Sequence, residues 1–169
     1  MESGYEAFRE QTLIQMVNDY QSALKNLCYM ILHDEALAED AVQETFIKAY
    51  KGLARFRGDC GEKTWLMRIA VNVCRDLQRS GWFRHVDRRV SPDMMPDQAA
   101  GPDGESEDLA QEIVALPDKY KEVVLLRYYH DMTIKDIAQT LGIAPSSVFA
   151  RLKRAEKKLR VSLEGRDFE

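Results

Sequence analysis

The sequence predicts an all-α protein: two small helical domains joined by a flexible acidic linker, the C-terminal domain being a helix-turn-helix. Three observations carry this. Apolar residues recur every three or four positions in several segments, and no segment alternates as a strand would. A stretch rich in Pro, Asp and Gly, SPDMMPDQAAGPDGESED, separates these segments and has no apolar period. Residues 133–159, TIKDIAQTLGIAPSSVFARLKRAEKKL, carry the stop and start signals of two helices around a tight turn. The expected boundaries are 1–84 for the N-terminal domain, 85–106 for the linker and 107–169 for the C-terminal domain.

Taken in order, residues from about 5 to 32 read as a helix whose seam is Val17, Tyr20, Leu24, Leu27 and Ile31. His33-Asp34 marks a break, with Asp34 as N-cap of a second helix over about 35–53. Ala38, Val42, Phe46, Ala49 and Leu53 form its buried face, and Glu39, Asp40, Gln43 and Glu44 lie on the other. The polar loop RFRGDCGEK (55–63) follows, and Thr64 is placed to cap a third helix that Gly81 ends. There Leu66, Ile69, Ala70, Val73 and Leu77 face inward, while Arg68, Asn72, Arg75 and Arg79 face elsewhere. After the linker, Ser106 is placed to cap a helix through Leu109, Ile113 and Leu116, which Pro117 ends. Another helix spans about 118–129.

The last motif opens on Thr133, with Asp136 completing a Thr-x-x-Asp capping box. Ile134, Ile137, Ala138 and Leu141 give its first helix one apolar face, and Gly142 supplies the left-handed turn. Pro145 cannot extend that helix, and Ser146 or Ser147 can cap the next. Val148, Leu152, Ala155 and Leu159 line one side of the second helix, whose remainder carries Arg151, Lys153, Arg154, Lys157, Lys158 and Arg160. This is the pattern of a helix whose exposed side enters a DNA major groove. The small Ala138 lets the two helices cross closely.

A chain of 169 residues with 45% hydrophobic content has room for one ordinary domain or two small ones. The start, MESGYEAFRE, is acidic and polar and predicts no secretory signal. No apolar run approaches the roughly 18 residues that cross a bilayer. The expectation is a soluble cytoplasmic protein without stable membrane insertion. Net charge is −4, an odd value for a DNA binder until it is resolved along the chain. Residues 1–50 carry −6, 51–89 carry +6, 90–112 carry −7, 113–145 carry 0 and 146–169 carry +3. Two separate basic zones suggest two nucleic-acid contacts.

Cys28, Cys60 and Cys74 include no C-x-x-C pair, which argues against a disulfide framework or zinc finger. Cys28 and Cys74 fall on apolar helix faces and read as core. Cys60 falls in a loop, where a redox role is open. His33, His85 and His130 are scattered. No metal, cofactor or catalytic set is expected.

Across residues 51–89, Lys51, Arg55, Arg57, Lys63, Arg68, Arg75, Arg79 and Arg84 lie among Phe56, Trp65, Trp82 and Phe83. Cations follow a nucleic-acid backbone and rings stack on exposed bases, so the mixture suits single-stranded DNA. Trp65 has a plain alternative as core filler. Asn72, on the polar side of a basic helix, can hydrogen-bond a base edge or be simply solvated.

The segments AEDAVQETFIKAY (38–50), FRGDCGEKTWLMRIAVNVCRDL (56–77), ALPDKYKEVVLLRYY (115–129) and the helix-turn-helix occur in that order. Together they resemble an extracytoplasmic-function (group 4, two-domain) sigma factor of bacterial RNA polymerase. The resemblance implies a protein that binds core RNA polymerase and directs promoter-specific transcription initiation, not an enzyme. It implies that Glu39, Asp40, Gln43 and Glu44 dock on the clamp coiled coil of the polymerase large subunit. It implies that the loop 56–63, with Arg57 and Lys63, captures a flipped base of the melted non-template strand at the start-proximal element. Asn72 matches the position that reads that base, flanked by Arg68 and Arg75. Phe149, Ala150, Lys153 and Arg154 match positions facing the duplex of the upstream element, with Ser146, Ser147, Arg151 and Lys157 placed for phosphates. The acidic linker would thread a basic polymerase channel, and an anti-sigma factor, often membrane-bound, is an implied partner. Two departures stand out. Phe149 stands where the family often has a cation, and Gly61-Glu62-Lys63 is unusually polar for a capture loop.

Magnitudes agree with a need for the polymerase. Opening roughly ten stacked steps at about 1.4 kcal/mol each costs on the order of 14 kcal/mol, whereas stacking one captured base returns about 1–3 kcal/mol. The rival readings are a polymerase-independent helix-turn-helix regulator, for which the tail 156–169 offers a poor dimer seam, and an enzyme, for which no phosphate loop or Glu-x-x-His is present.

Overall fold

The computed structural model describes residues 2–80 and 105–165, and these are helical with short connections. The helices are α1 (Glu2–Leu32), α2 (Glu35–Gly52), α3 (Glu62–Arg79), α4 (Glu105–Ala115), α5 (Asp118–Val124), α6 (Ile134–Leu141) and α7 (Pro145–Glu164). A single 3₁₀ turn, Leu53–Arg55, follows α2, and a π-helical segment, Leu125–Tyr129, continues α5. The linker expected at 85–106 lies outside the described residues except for 105 and 106, as do Gly81 and residues 82–84.

The N-terminal unit packs α1, α2 and α3 on one another. Leu24, Leu27, Cys28 and Ile31 of α1 are buried against Ala38, Ala41, Val42 and Ala49 of α2 and Leu66, Ala70, Val73 and Cys74 of α3. Each large side chain withdrawn from water contributes about 1.5–3 kcal/mol. His33 ends α1 in the left-handed region, at φ 56°, and the Asp34 carboxylate caps α2 by accepting from the Leu37 N–H at 2.8 Å.

In the C-terminal unit α7 packs on α4, α5 and α6. Val148, Leu152 and Ala155 meet Ile137, Ala138 and Leu141 in a buried layer. Asp131 at φ 52° closes the π-helical segment. The buried apolar side chains of both units form one continuous cluster. The two units touch where α3 packs against α6 and α1 against α5.

Several expected caps are corrected. Gly61, not Thr64, is the N-cap of α3, and Thr64 is buried one turn inside. Ser106 lies within the first turn of α4 instead of before it. Ala144 is the N-cap of α7 and makes no side-chain bond, so Ser146 and Ser147 lie in the first turn and do not cap. Pro145 at the first helical position explains the shift, since its fixed φ starts the helix and it has no N–H to satisfy. Phe46, Leu53, Ile69 and Leu77 are only partly buried.

Candidate nucleic-acid interface

The loop between α2 and α3 is shaped by two glycines and a short turn. The Phe56 N–H donates to the Leu53 carbonyl at 3.2 Å, and the Trp65 N–H to the Gly61 carbonyl at 3.0 Å. Gly58 sits at φ 76°, a conformation that an L side chain rarely adopts. The result lays Phe56 on Trp65, ring centroids 4.6 Å apart and planes 24° apart. A Cβ at Gly52 would reach the Trp65 ring at 3.4 Å, so glycine there leaves the indole its place.

Beside this pair is a cavity of about 490 Å³ lined by Phe56, Trp65 and Ile69, by Lys48, Arg55, Arg57 and Arg68, and by Asn72, Asp59 and Cys60. Rings and an aliphatic wall surrounded by cations and an amide are the kind of lining on which an unstacked base and its phosphates bind. Arg57, Arg68 and Asn72 are thus brought together, and Arg68 and Asn72 are exposed. Arg55 belongs to the basic zone read from the sequence, whereas Lys48 lies just before it and was not anticipated. Its place on α2, one turn before Gly52, was the available signal. The Cys60 thiol is raised by burial, against the pull of Arg68, which keeps it protonated and poorly reactive.

Lys63 and Arg75 are placed elsewhere, at the junction of the two units. The Lys63 ammonium donates to the His130 carbonyl at the end of the π-helical segment. Arg75 holds Glu122 of α5 in a two-point pair, Nε to Oε1 at 3.0 Å and Nη2 to Oε2 at 2.7 Å. That bond holds the guanidinium above its ordinary pKa. Lys121, next in sequence, points the other way. Its ammonium donates to the Ile31 carbonyl at 3.3 Å and lies 3.2 Å from His33 Nε2 and 3.5 Å from the Asp118 carboxylate. The last turn of α1 contains no basic residue of its own, so the cation at its negative end comes from the other unit. Gln78 also approaches Asp118, and the Thr140 hydroxyl donates to the Thr64 carbonyl, both at 3.5 Å.

The helix-turn-helix is built as the sequence indicates at its start and turn. Thr133 Oγ1 accepts from the Asp136 N–H at 3.1 Å. Gly142 takes φ 67°, and the Ile143 N–H reaches back to the Ala138 carbonyl at 3.1 Å. On α7, Ser146, Phe149, Ala150, Lys153, Arg154 and Lys157 are exposed, and Ser147 and Arg151 partly so. At 100° per residue, Ser146, Ala150, Lys153 and Lys157 form the centre of the side opposite the buried face. Phe149 is 53% exposed, with the Lys153 ammonium 5.3 Å from its ring centroid. Arg151 lines a cleft at the junction with Arg75, Arg79 and Lys119. Arg154 and Lys157 border a second hollow over Tyr120. Burial alone would raise the Tyr120 phenol, but Lys119 and Arg154 beside it bring it below its ordinary value.

In the N-terminal unit, Glu39, Asp40, Gln43 and Glu44 are all exposed on α2. The first three border a groove of about 830 Å³ between α1 and α2, floored by Leu13, Val17, Phe46, Ile47 and Tyr50. Lys25 of α1 pairs with Glu39 at 3.5 Å. Arg9, not anticipated, ties the start of α1 to the end of α2. Its guanidinium donates to the Tyr50 carbonyl at 2.6 Å and lies 4.4 Å from the Tyr50 ring centroid. Among the described residues, no helix is long and apolar enough to cross a membrane.

Comparison with known proteins agrees with this layout. The family model Sigma-70 region 2 matches residues 16–84, and that for Sigma-70, region 4 matches residues 106–159. The chain is 29% identical over 168 residues to the ECF RNA polymerase sigma factor SigW of Bacillus subtilis, covering 91% of this chain and 90% of that one. It is 29% identical over 157 residues to the RNA polymerase sigma factor YlaC of the same organism, covering 88% and 90%. The structure of CnrH in complex with the cytosolic domain of CnrY superposes with a TM-score of 0.73 at 27% identity, covering 92% of this chain and 90% of CnrH. The two matched regions, in this order and with these helices, show that the chain belongs to the sigma-70 family, among the extracytoplasmic-function (group 4) sigma factors.

Proposed function

We propose that this chain binds bacterial core RNA polymerase and directs transcription initiation at specific promoters. The observation that carries the reading is the presence, on one short chain, of two different nucleic-acid surfaces. The aromatic and cationic cavity around Phe56, Trp65, Arg68 and Asn72 suits an unstacked base of a melted strand. The exposed side of α7, with Phe149 and Lys153, suits the major groove of intact duplex. A regulator that only binds duplex has no use for the first surface.

In this assignment Glu39, Asp40, Gln43 and Glu44, beside the groove between α1 and α2, dock on the polymerase. Arg57, Lys63, Arg68, Asn72 and Arg75 serve the start-proximal element. Ser146, Ser147, Phe149, Ala150, Arg151, Lys153, Arg154 and Lys157 serve the upstream element. The bond-forming chemistry belongs to the polymerase, and the chain works beside it in the cytoplasm. By likeness to CnrH, solved with a partner protein, a protein that holds this chain inactive is a further partner.

The test is co-purification with bacterial core polymerase, followed by transcription from the promoter upstream of the chain's own gene. Stable association and polymerase-dependent initiation are expected. Specific duplex binding without any affinity for core would replace this reading with that of an independent helix-turn-helix regulator.

A further inference from the structure

Tyr128 lies in the π-helical segment Leu125–Tyr129, and two bonds fix the end of that segment. The Met132 N–H donates to the Leu126 carbonyl at 3.1 Å, and Arg127 Nη1 donates to the Met132 carbonyl at 2.9 Å. The braced segment carries the half-exposed Tyr128 ring to α7, where the phenol donates to Glu156 Oε1 at 2.5 Å. The bond to Glu156 first, and burial second, raise the phenol above its ordinary pKa, so it keeps the proton that it donates.

Glu156 is an acid on the flank of α7 that carries Phe149 and Lys153. At 100° per residue it lies about 20° around the helix from Phe149, about 40° from Arg160 and about 60° from Lys153. Lys153 is three residues before it and Arg160 four after it, the spacings at which a carboxylate pairs with a cation on a helix surface. Among the described residues Glu156 forms no ion pair with either and is turned to Tyr128 instead. Arg160 is exposed, and the Lys153 ammonium lies over the Phe149 ring. An unheld carboxylate here would take one of these cations. It would also set a like charge against duplex phosphates, within the screening length of about 8 Å in physiological salt.

We propose that Tyr128 is a positioning residue for the upstream element: its hydroxyl holds the Glu156 carboxylate aside and so leaves Lys153 and Arg160 to duplex phosphates. The inference rests on the reading of Lys153 as an upstream-element contact, and it adds to that surface a residue from outside the helix-turn-helix.

The test titrates the complex of the full chain with core polymerase against a labelled duplex that carries the upstream element of the promoter before the chain's own gene, at several salt concentrations. The proteins are the parent, Tyr128→Phe, Glu156→Gln, the two changes combined, and Lys153→Gln, with helical content by circular dichroism as the check on folding. Tyr128→Phe keeps the ring and removes only the donor. It is expected to weaken binding about two- to threefold at low salt, the scale of an ion pair on a helix surface. The slope of log affinity on log salt is expected to flatten by up to about 0.9, the value of one phosphate contact. With Glu156→Gln already present, Tyr128→Phe is expected to change nothing, because no carboxylate is left to hold. An unchanged affinity for Tyr128→Phe alone would overturn the proposal. So would an equal loss with and without Glu156→Gln, which would make the hydroxyl itself a phosphate contact. Lys153→Gln separates this inference from the reading beneath it. If Lys153→Gln weakens binding and Tyr128→Phe does not, only the positioning role falls. If Lys153→Gln leaves affinity unchanged, the DNA-facing reading of this side of α7 falls and takes the positioning role with it.

Discussion

Phe56 and Trp65 lie face to face, centroids 4.6 Å apart and planes 24° apart, and together form one wall of the cavity that also holds Asn72. Neither ring is fully buried, so the pair is both a local brace and an exposed stacking surface. Replacing Phe56 with Ala is expected to weaken binding of a start-proximal non-template oligonucleotide to the polymerase complex by about 1–3 kcal/mol. Titration of the labelled oligonucleotide checks it. Binding of duplex upstream DNA is expected to stay unchanged.

On α2, Asp40 and Glu44 are exposed, and their side chains enter no ion pair among the described residues. Asp40→Ala with Glu44→Ala is expected to lower affinity for core polymerase at least several-fold with no change in thermal midpoint. A competition assay against a labelled sigma factor measures the first, and circular dichroism the second. Unaltered core affinity would remove the docking role from this side of α2.

Phe149, held under the Lys153 ammonium, has no hydrogen-bonding group with which to read a base edge. A ring there is suited to a thymine methyl. Replacing the contacted thymine with uracil removes one methyl group, worth about 0.8 kcal/mol when buried. That substitution is expected to weaken upstream-element binding about fourfold for the parent and not at all for Phe149→Ala. A scan of uracil along the element, with binding measured for both proteins, checks this.

His130 is buried, and burial first and Lys63 second lower its pKa to about 4, against a smaller opposing pull from Asp131. The unfolded chain takes up this proton near pH 6.5 and the folded chain only near 4. Between those values the unfolded state binds more protons, so stability falls as pH falls. The loss is expected to approach about 3 kcal/mol by pH 4. Urea denaturation from pH 7 to pH 4.5 measures it. His130→Gln, which cannot titrate, is expected to show a shallower decline, the difference from the parent being the His130 contribution.

What local interactions encode was legible. The Asp34 and Thr133 caps, the Gly142 turn and the apolar seams of α1 and α7 depend on residues within four positions of one another, and they appear as expected. Where a local signal failed, another local signal outweighed it. Pro145 starts α7 and displaces Ser146 and Ser147 from capping, and Gly61 starts α3 ahead of Thr64.

The sequence by itself determined the helical class, the two units, the helix-turn-helix and the family, because periodicity, caps and the order of motifs are written along the chain. Only the tertiary structure divided the five residues proposed for the start-proximal element into two groups. Arg57, Arg68 and Asn72 share a cavity, while Lys63 and Arg75 turn to the other unit, to partners 67 and 47 positions away. The sequence shows that these residues carry charge and lie on a polar face. Which acid or carbonyl meets them depends on how two separately built surfaces come together, and no spacing along the chain records that.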